Sequence, residues 1–393
     1  MKTLYQSPTD PGFVQDPYPF YDAARDCGDL VYWNDYNMVS AVSHNAVHTL
    51  FRDRRFGREV PPELARIGPD HLAPWLTVEA HSLLEAEPPR HTRLRALVMR
   101  AFTSRAITAL TPSIEDLCST LIDAFPAGPF DLLETYCTQV PVITICRLLG
   151  VPKDMAPSLL RWSHDMVAMY QASRTRKIED RAAQSAQDFT SFLDDYIRSR
   201  RSDPRDDLIT RLIAAEEEGE KLSRDELVAT CILILNAGHE ATVHSLGNGV
   251  KTLLQTGTGP QAFAADAIDK TVEEVLRYDP PLHMFTRYAY EQAELFGHSF
   301  KRGDQVALLL GGANRDPAIW PDPNRFDPAR AIQTNTSFGG GLHFCVGAPL
   351  ARLEMRIALP VLFQRCPNLR LSEQPVYSNS YHFHGLERLL VQA

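Results

Sequence analysis

The segment from Ser223 to Gln255 constrains this chain more than any other. It opens with Ser-x-x-Glu, Ser223 with Glu226, a capping box that satisfies backbone N–H groups a helix start leaves bare. The residues after this cap are apolar over much of the helix circumference. A helix of about 30 residues spans some 45 Å, and one apolar on most sides runs through a core rather than over it.

The rest of the pattern agrees with a mainly helical body. From about Arg90 to Gln255 the periodicity is almost wholly helical, and a further helix over Ala267–Tyr278 stops before Asp279-Pro280-Pro281, where the pre-proline residue leaves the helical region. A last long helix is expected from about Val346 to Arg365. Strands are few. Leu30–Val42 reads as a hairpin around Asn34-Asp35, and short strands fall near Glu294–Phe300 and Gln305–Leu310. No repeat or linker divides the 393 residues, so one domain over 1–393 is expected.

Composition excludes several classes. A net charge of −9 argues against nucleic-acid binding, which needs clustered positive charge. The first twenty residues lack a signal-peptide apolar core, and no run approaches the roughly 18 apolar residues of a membrane span. A cytoplasmic location is expected. The seven cysteines are scattered, odd in number and never in a C-x-x-C pair, which disfavours disulfides and structural zinc.

One cysteine stands apart. In Ser337-Phe338-Gly339-Gly340-Gly341-Leu342-His343-Phe344-Cys345-Val346-Gly347, three consecutive glycines permit backbone conformations closed to other residues and close approach to another body. Cys345 then precedes a helix whose first turn holds Gly347. Helix N-terminal N–H groups there stabilise a negative sulfur, and the thiol pKa is expected to fall. Such a thiolate suits ligation of iron.

The composite F-G-G-G-x-H-x-C-x-G-x-x-L-A-R-x-E, ending at Leu350, Ala351, Arg352 and Glu354, resembles the haem-binding loop of the cytochromes P450. The resemblance extends over essentially the whole chain, from Asp16-Pro17-Tyr18-Pro19 to the terminal strands. It implies the cytochrome P450 fold, mainly α with minor β, with haem b (Fe protoporphyrin IX) between a long distal helix and a proximal cysteine loop. Cys345 would be the iron ligand, shielded by Phe338, with Gly339 and Gly347 shaping the loop. Glu274 and Arg277, an E-x-x-R, would form a buried structural network with Arg330. Pro88-Pro89-Arg90-His91 resembles the start of the helix over one haem edge. By that resemblance His91, Arg95, Arg287 and His343 would bind the haem propionates.

The long helix carries Ala237-Gly238-His239-Glu240-Ala241-Thr242. It is similar to the family's distal motif, in which Gly238 would open a groove for dioxygen beside Ala237 and an acid followed by threonine would deliver protons. Glu240 matches the acid. Ala241 stands where the threonine is expected, and Thr242 is displaced by about 100° of helix rotation. Ordered water or a substrate hydroxyl is expected to replace the missing group. His239 and His244 are expected to make polar contacts within the protein.

By position, Trp75, Leu83, Met169, Leu282, Met284 and Phe285 should line an apolar substrate pocket, suited to a hydrophobic small molecule. The expected reaction inserts one oxygen atom from O₂. No G-x-G-x-x-G follows a strand, so electrons should come from a ferredoxin or flavodoxin with its NAD(P)H reductase, docking on the Cys345 face near Arg100, Arg352 and Arg356. A monomer is expected. Two alternatives remain open at this point: a peroxide-driven peroxygenase, and a haem protein that binds ligand without turnover.

Overall fold

The computed structural model describes residues 1–170, 174–215 and 219–393. The helices that position the site are α1 (Ala73–Ala80), α2 (Arg90–Ala101), α3 (Gln139–Leu149), α4 (Ala156–Val167), α5 (Arg176–Ser202), α6 (Arg224–Gln255), α7 (Ile268–Tyr278) and α8 (Ala348–Arg365). Helix α6 starts as its sequence requires. Ser223 is the N-cap, the Glu226 backbone N–H donates to its Oγ at 3.3 Å, and the Ser223 N–H donates to Glu226 Oε2 at 2.9 Å. Its sides are covered by α3, α4, α5, α7 and α8, which is why both an upper core (Leu94, Leu97, Ile145, Leu193, Leu227) and a lower one (Leu132, Leu246, Val250, Leu276, Leu359) draw on it.

The minor sheet has six strands: β1 (Thr3–Leu4), β2 (Leu30–Trp33), β3 (Met38–Ala41), β4 (Phe56–Gly57), β5 (Met284–Ala289) and β6 (Gln305–Leu309), in the order β1-β2-β3-β6-β5-β4. The expected hairpin is present as β2 and β3. Its turn is longer than Asn34-Asp35, closing on Asn37 in the left-handed region at φ 50°, which asparagine tolerates. Residues 294–300 make a separate tight hairpin, Ala293–Leu295 with His298–Phe300.

Three departures from expectation have local causes. Strand β5, unforeseen, sits between β6 and β4, with Arg287 opposite Val306. The proline and histidine before it hid a short strand whose partners lie far off in sequence. Helix α8 begins at Ala348 rather than Val346, with Gly347 as N-cap and Pro349 in the first turn, where a missing N–H costs nothing. Between Arg90 and Gln255 the helical run is broken at Phe130–Asp131, a strand pairing with Leu390–Gln392. The segment between α6 and α7 is reduced to a single short turn, Pro260–Phe263.

Candidate active site

Gly341 to Gly347 form an accessible loop ahead of α8. Gly341 has φ +62°, and a Cβ there would lie 2.0 Å from the Phe51 carbonyl oxygen, so the chain can pass Phe51 only as glycine. The Cys345 N–H donates to the Phe338 carbonyl at 3.0 Å, folding the loop back under the sulfur. Cys345 is the one exposed cysteine of the seven, five of the others being buried. The expected fall in its pKa is not what the structure gives: although the residue as a whole is accessible, protein packed around the sulfur pushes the thiol up, and the Gly347 and Ala348 N–H groups, with Arg95 and Arg352, offset this only in part. Helix-start amides alone do not ionise this thiol. A cation on the sulfur would, since coordination to a metal deprotonates a thiol. Phe338 packs beside the loop under the Arg352 guanidinium, 4.5 Å from its ring centroid.

The four expected propionate partners gather around this loop. His91 is buried on α2 with its ring centroid 4.4 Å from that of His343, and its Nδ1 has no hydrogen-bond partner. Burial, with the charges of His343 and Arg95, lowers its pKa to about 4. Arg95 reaches the Phe344 carbonyl at 2.8 Å. Arg287 on β5 is 3% exposed and donates to the carbonyl of Thr286, its own neighbour, at 2.8 Å; burial and Arg58 lower its pKa to about 10. A buried guanidinium and a bare imidazole nitrogen are costly unless an anion meets them. That is the chemistry of a cofactor bearing carboxylates, so the donor set fits haem.

Sequence reasoning missed Arg58 and Glu87. The Arg58 N–H donates to Glu87 Oε1 at 2.7 Å, its guanidinium meets Glu85 at 2.5 Å, and Glu87 accepts from or pairs with His343 Nε2 at 2.8 Å. These residues converge only because β4 lies beside β5; nothing local in the sequence marks them.

Glu274 and Arg277 form two hydrogen bonds, 2.7 and 2.8 Å, with both side chains 2% exposed. Arg330 joins Glu274 at 3.3 Å, and the Asp327 N–H donates to it at 2.8 Å. Arg277 also spends its other N–H groups on the carbonyls of Asn314 and Pro323. The expected network is therefore present, and it ties α7 to the segment leading into the cysteine loop.

On α6, Leu233, Ile234, Ala237 and Ala241 form an accessible stripe, with Ala237 exposed, on a helix otherwise largely buried. Residues three and four apart share a face, so these four present one accessible apolar stripe. At Gly238 a Cβ would meet the Ile145 side chain at 3.1 Å, so the glycine allows close packing of α6 on α3. Thr242 is buried, and the Ser245 hydroxyl donates to the Ala241 carbonyl at 2.8 Å. Glu240 lies among three imidazoles, with Oε1 3.1 Å from His164 Nε2 and 3.5 Å from His239 Nε2, and Oε2 3.8 Å from His244 Nε2. Burial pushes its carboxyl up, but the surrounding imidazoles of His239, His164 and His244 outweigh this and hold it at about 2.

The six expected pocket residues divide. Leu83 belongs to the helical core, Met284 to the aromatic core with Tyr21, Trp33 and Tyr381, and Met169 to a small cluster with Leu72 and Ala182. These three are packing residues. Trp75, Leu282 and Phe285 remain partly accessible. Of the expected docking arginines, Arg352 pairs with Glu273 and Arg356 with Asp269, and Arg100 lies at the surface.

A helical body with a thiol at the tip of a glycine loop, a long helix presenting an accessible stripe, and a pocket holding the buried Arg287 and the unpartnered His91 Nδ1 fit a haem-thiolate protein. Residues 30–256 and 267–380 match the family model described as Cytochrome P450. The chain is 35% identical over 377 residues to the cytochrome P450 monooxygenase PikC of Streptomyces venezuelae, a match covering 92% of this chain and 87% of that protein. It is 36% identical over 389 residues to a vitamin D(3) 25-hydroxylase of Pseudonocardia autotrophica, covering 96% and 94%. Its backbone superposes on P450BioI, solved with an acyl carrier protein bearing hexadec-9Z-enoic acid, with a TM-score of 0.91 at 31% identity, covering 97% and 99%. The chain belongs to the cytochrome P450 family and is a haem-thiolate monooxygenase. A haem-iron cofactor, redox partners and a small-molecule substrate go with that family.

Proposed function

We propose that the cofactor is haem b, that Cys345 would hold its iron through a thiolate, and that His91, Arg95, Arg287 and His343 would receive its propionates. The observation that carries this reading is the buried, anion-seeking pair of Arg287 and His91 beside the exposed Cys345. When bound, the haem iron activates O₂ for insertion of one atom into an apolar substrate, and thiolate ligation favours O–O cleavage. The protein's part is positional. The Gly347 and Ala348 amides point at the sulfur, the Phe338 ring and Arg352 cover the loop, and Leu233, Ile234, Ala237 and Ala241 form an apolar wall that limits water.

Protons reach the cavity side through Glu240. Its Oε1 stands 3.1 Å from the half-exposed His164, which links it to solvent. Ala241 supplies no hydroxyl and Ser245 is committed to a backbone carbonyl, so ordered water or a polar group of the substrate completes the path from Glu240. Trp75, Leu282 and Phe285 offer the apolar contacts a hydrophobic substrate needs.

The chain is read as one domain acting as a monomer in the cytoplasm. No described helix is long and apolar enough to cross a membrane. A ferredoxin or flavodoxin with an NAD(P)H reductase supplies the electrons; Arg100, Arg352, Arg356 and the accessible Gly341–Gly347 loop are the docking candidates. A small-molecule library screened for the Soret shift that accompanies displacement of water from the haem tests the substrate class. Product formation should then require NAD(P)H, the reductase and one of the two donors. Turnover with peroxide alone, or no oxygen consumption with any donor, would overturn the reading.

A further inference from the structure

The three imidazoles around Glu240 do more than hold a carboxylate. His239 is 3% exposed, and its Nδ1 lies 2.7 Å from the Leu235 carbonyl. A carbonyl only accepts, so Nδ1 carries the hydrogen, and Nε2 is the ring atom left to meet Glu240. That Nε2 is buried without a hydrogen-bond partner and faces Glu240 Oε1 at 3.5 Å. A buried ring nitrogen and a carboxylate oxygen so placed offer two metal-ligating atoms to one space.

We propose that His164, His239 and Glu240 form a binding site for a divalent transition-metal ion, zinc in particular, separate from the haem. Their ligand atoms all lie within 4.8 Å of one another, with His164 Nε2 3.1 Å from Glu240 Oε1. With zinc–ligand bonds of about 2.0–2.2 Å, neighbouring ligand atoms of a tetrahedral site stand roughly 3.3 Å apart, so small side-chain rotations close it. A backbone carbonyl on the far ring nitrogen is the usual device that orients a metal-binding histidine. His244, whose Nε2 is 3.8 Å from Glu240 Oε2, or a water completes the fourth position. The ligand set of two imidazoles and one carboxylate suits zinc.

The site also has an approach. A cavity of about 160 Å³ is lined by His164, Glu240, His244, Ser378, Ser380 and Phe383, and His164 is 56% exposed. The other buried histidine cluster differs: both nitrogens of His384 are engaged, by Asp279 and the Val14 carbonyl, and it has no such opening. A bound ion would occupy the His164–Glu240 contact that the proposed proton route uses, so zinc binding and turnover are measured separately and either reading can fail alone.

The test is zinc binding by the untagged, haem-loaded chain, in competition with a chromogenic zinc chelator. One zinc ion per chain should bind, and His164→Ala and Glu240→Gln should each weaken it by about tenfold or more. His164 is largely at the surface, and an unchanged haem spectrum will show that the variant folds. The control is His48→Ala, which breaks the His44–His48 pair stacked at 5.4 Å on the outer face and should leave the affinity unchanged. No zinc bound, binding indifferent to His164→Ala, or binding abolished by His48→Ala would each overturn the proposal.

Discussion

His91 and His343 face one another at 4.4 Å, yet they are not equivalent: His343 Nε2 meets Glu87 Oε1 at 2.8 Å, whereas His91 Nδ1 is buried without a partner. Their difference predicts a titration. His91 is lowered to about 4 by burial and by the charges of His343 and Arg95, against roughly 6.5 in an unfolded chain. Between those two values the unfolded chain binds more protons, so the haem-free protein loses stability as pH falls from about 6.5 towards 4. A haem carboxylate beside His91 should reverse the shift. NMR titration of the haem-free chain and of its diamagnetic ferrous carbon monoxide form should show the His91 pKa rising on loading. Equal values would remove His91 from the propionate contacts.

Cys345→Ser should abolish monooxygenase turnover while leaving the fold. The Cys345 side chain is the exposed tip of a loop held by the Cys345 N–H to Phe338 carbonyl bond, which serine retains. Loss of the red-shifted Soret band of the ferrous carbon monoxide complex, with unchanged far-ultraviolet circular dichroism, is the expected pair of readings.

Glu274→Ala should be severely destabilising. It leaves Arg277, 2% exposed in its side chain, and Arg330 without their shared carboxylate. Breaking a buried pair by removing one partner costs about 3–5 kcal/mol. Urea unfolding should place the midpoint well below wild type, with poor haem retention, and a loss under about 1 kcal/mol would contradict the buried-network account.

Ala241→Thr restores a hydroxyl on the accessible stripe of α6, one helical position from the buried Thr242. If water or substrate now completes proton delivery, the added hydroxyl changes coupling. Hydrogen peroxide released per product, measured with the true substrate, should fall in the variant, and Thr242→Val should leave it nearly unchanged. An Ala241→Thr enzyme as leaky as wild type would sink the idea.

Glu240→Gln should slow oxygen-dependent turnover several-fold. In the wild type, burial is outweighed by His239, His164 and His244, which hold the carboxyl at about 2, below roughly 4.3 for an unfolded glutamate. Its contribution to stability is present above the unfolded value and is lost as pH falls towards 2. The rate profile of the wild type should therefore show no carboxylate titration between pH 5 and 8 from this group, at about the range where enzymes work. A wild-type inflection in that range that disappears in Glu240→Gln would contradict the arrangement.

Local signals carried far into this structure. Ser223 and Glu226 fixed the start of α6, Pro280 the end of α7, and Gly339-Gly340-Gly341 with Cys345 the proximal loop. These were readable because each depends on backbone rules acting over a few residues. The errors arose where distant segments meet. Met284 reads as pocket from its neighbours, but the β5–β6 register turns it into the aromatic core with Trp33. Leu83 likewise reads as pocket but joins the helical core with Leu94 and Ile145.

The helical body, the buried distal helix, the thiolate loop and the alanine at the hydroxyl position were all set by the order of residues alone, since periodicity, capping and motif spacing are written along the chain. Packing in three dimensions was needed to bring Arg58 and Glu87 into the propionate pocket, to turn half the expected pocket residues into core, and to carry His164 of α4 to Glu240 on α6. Those relations link residues dozens or hundreds of positions apart, and they are set by which helix and strand faces pack together.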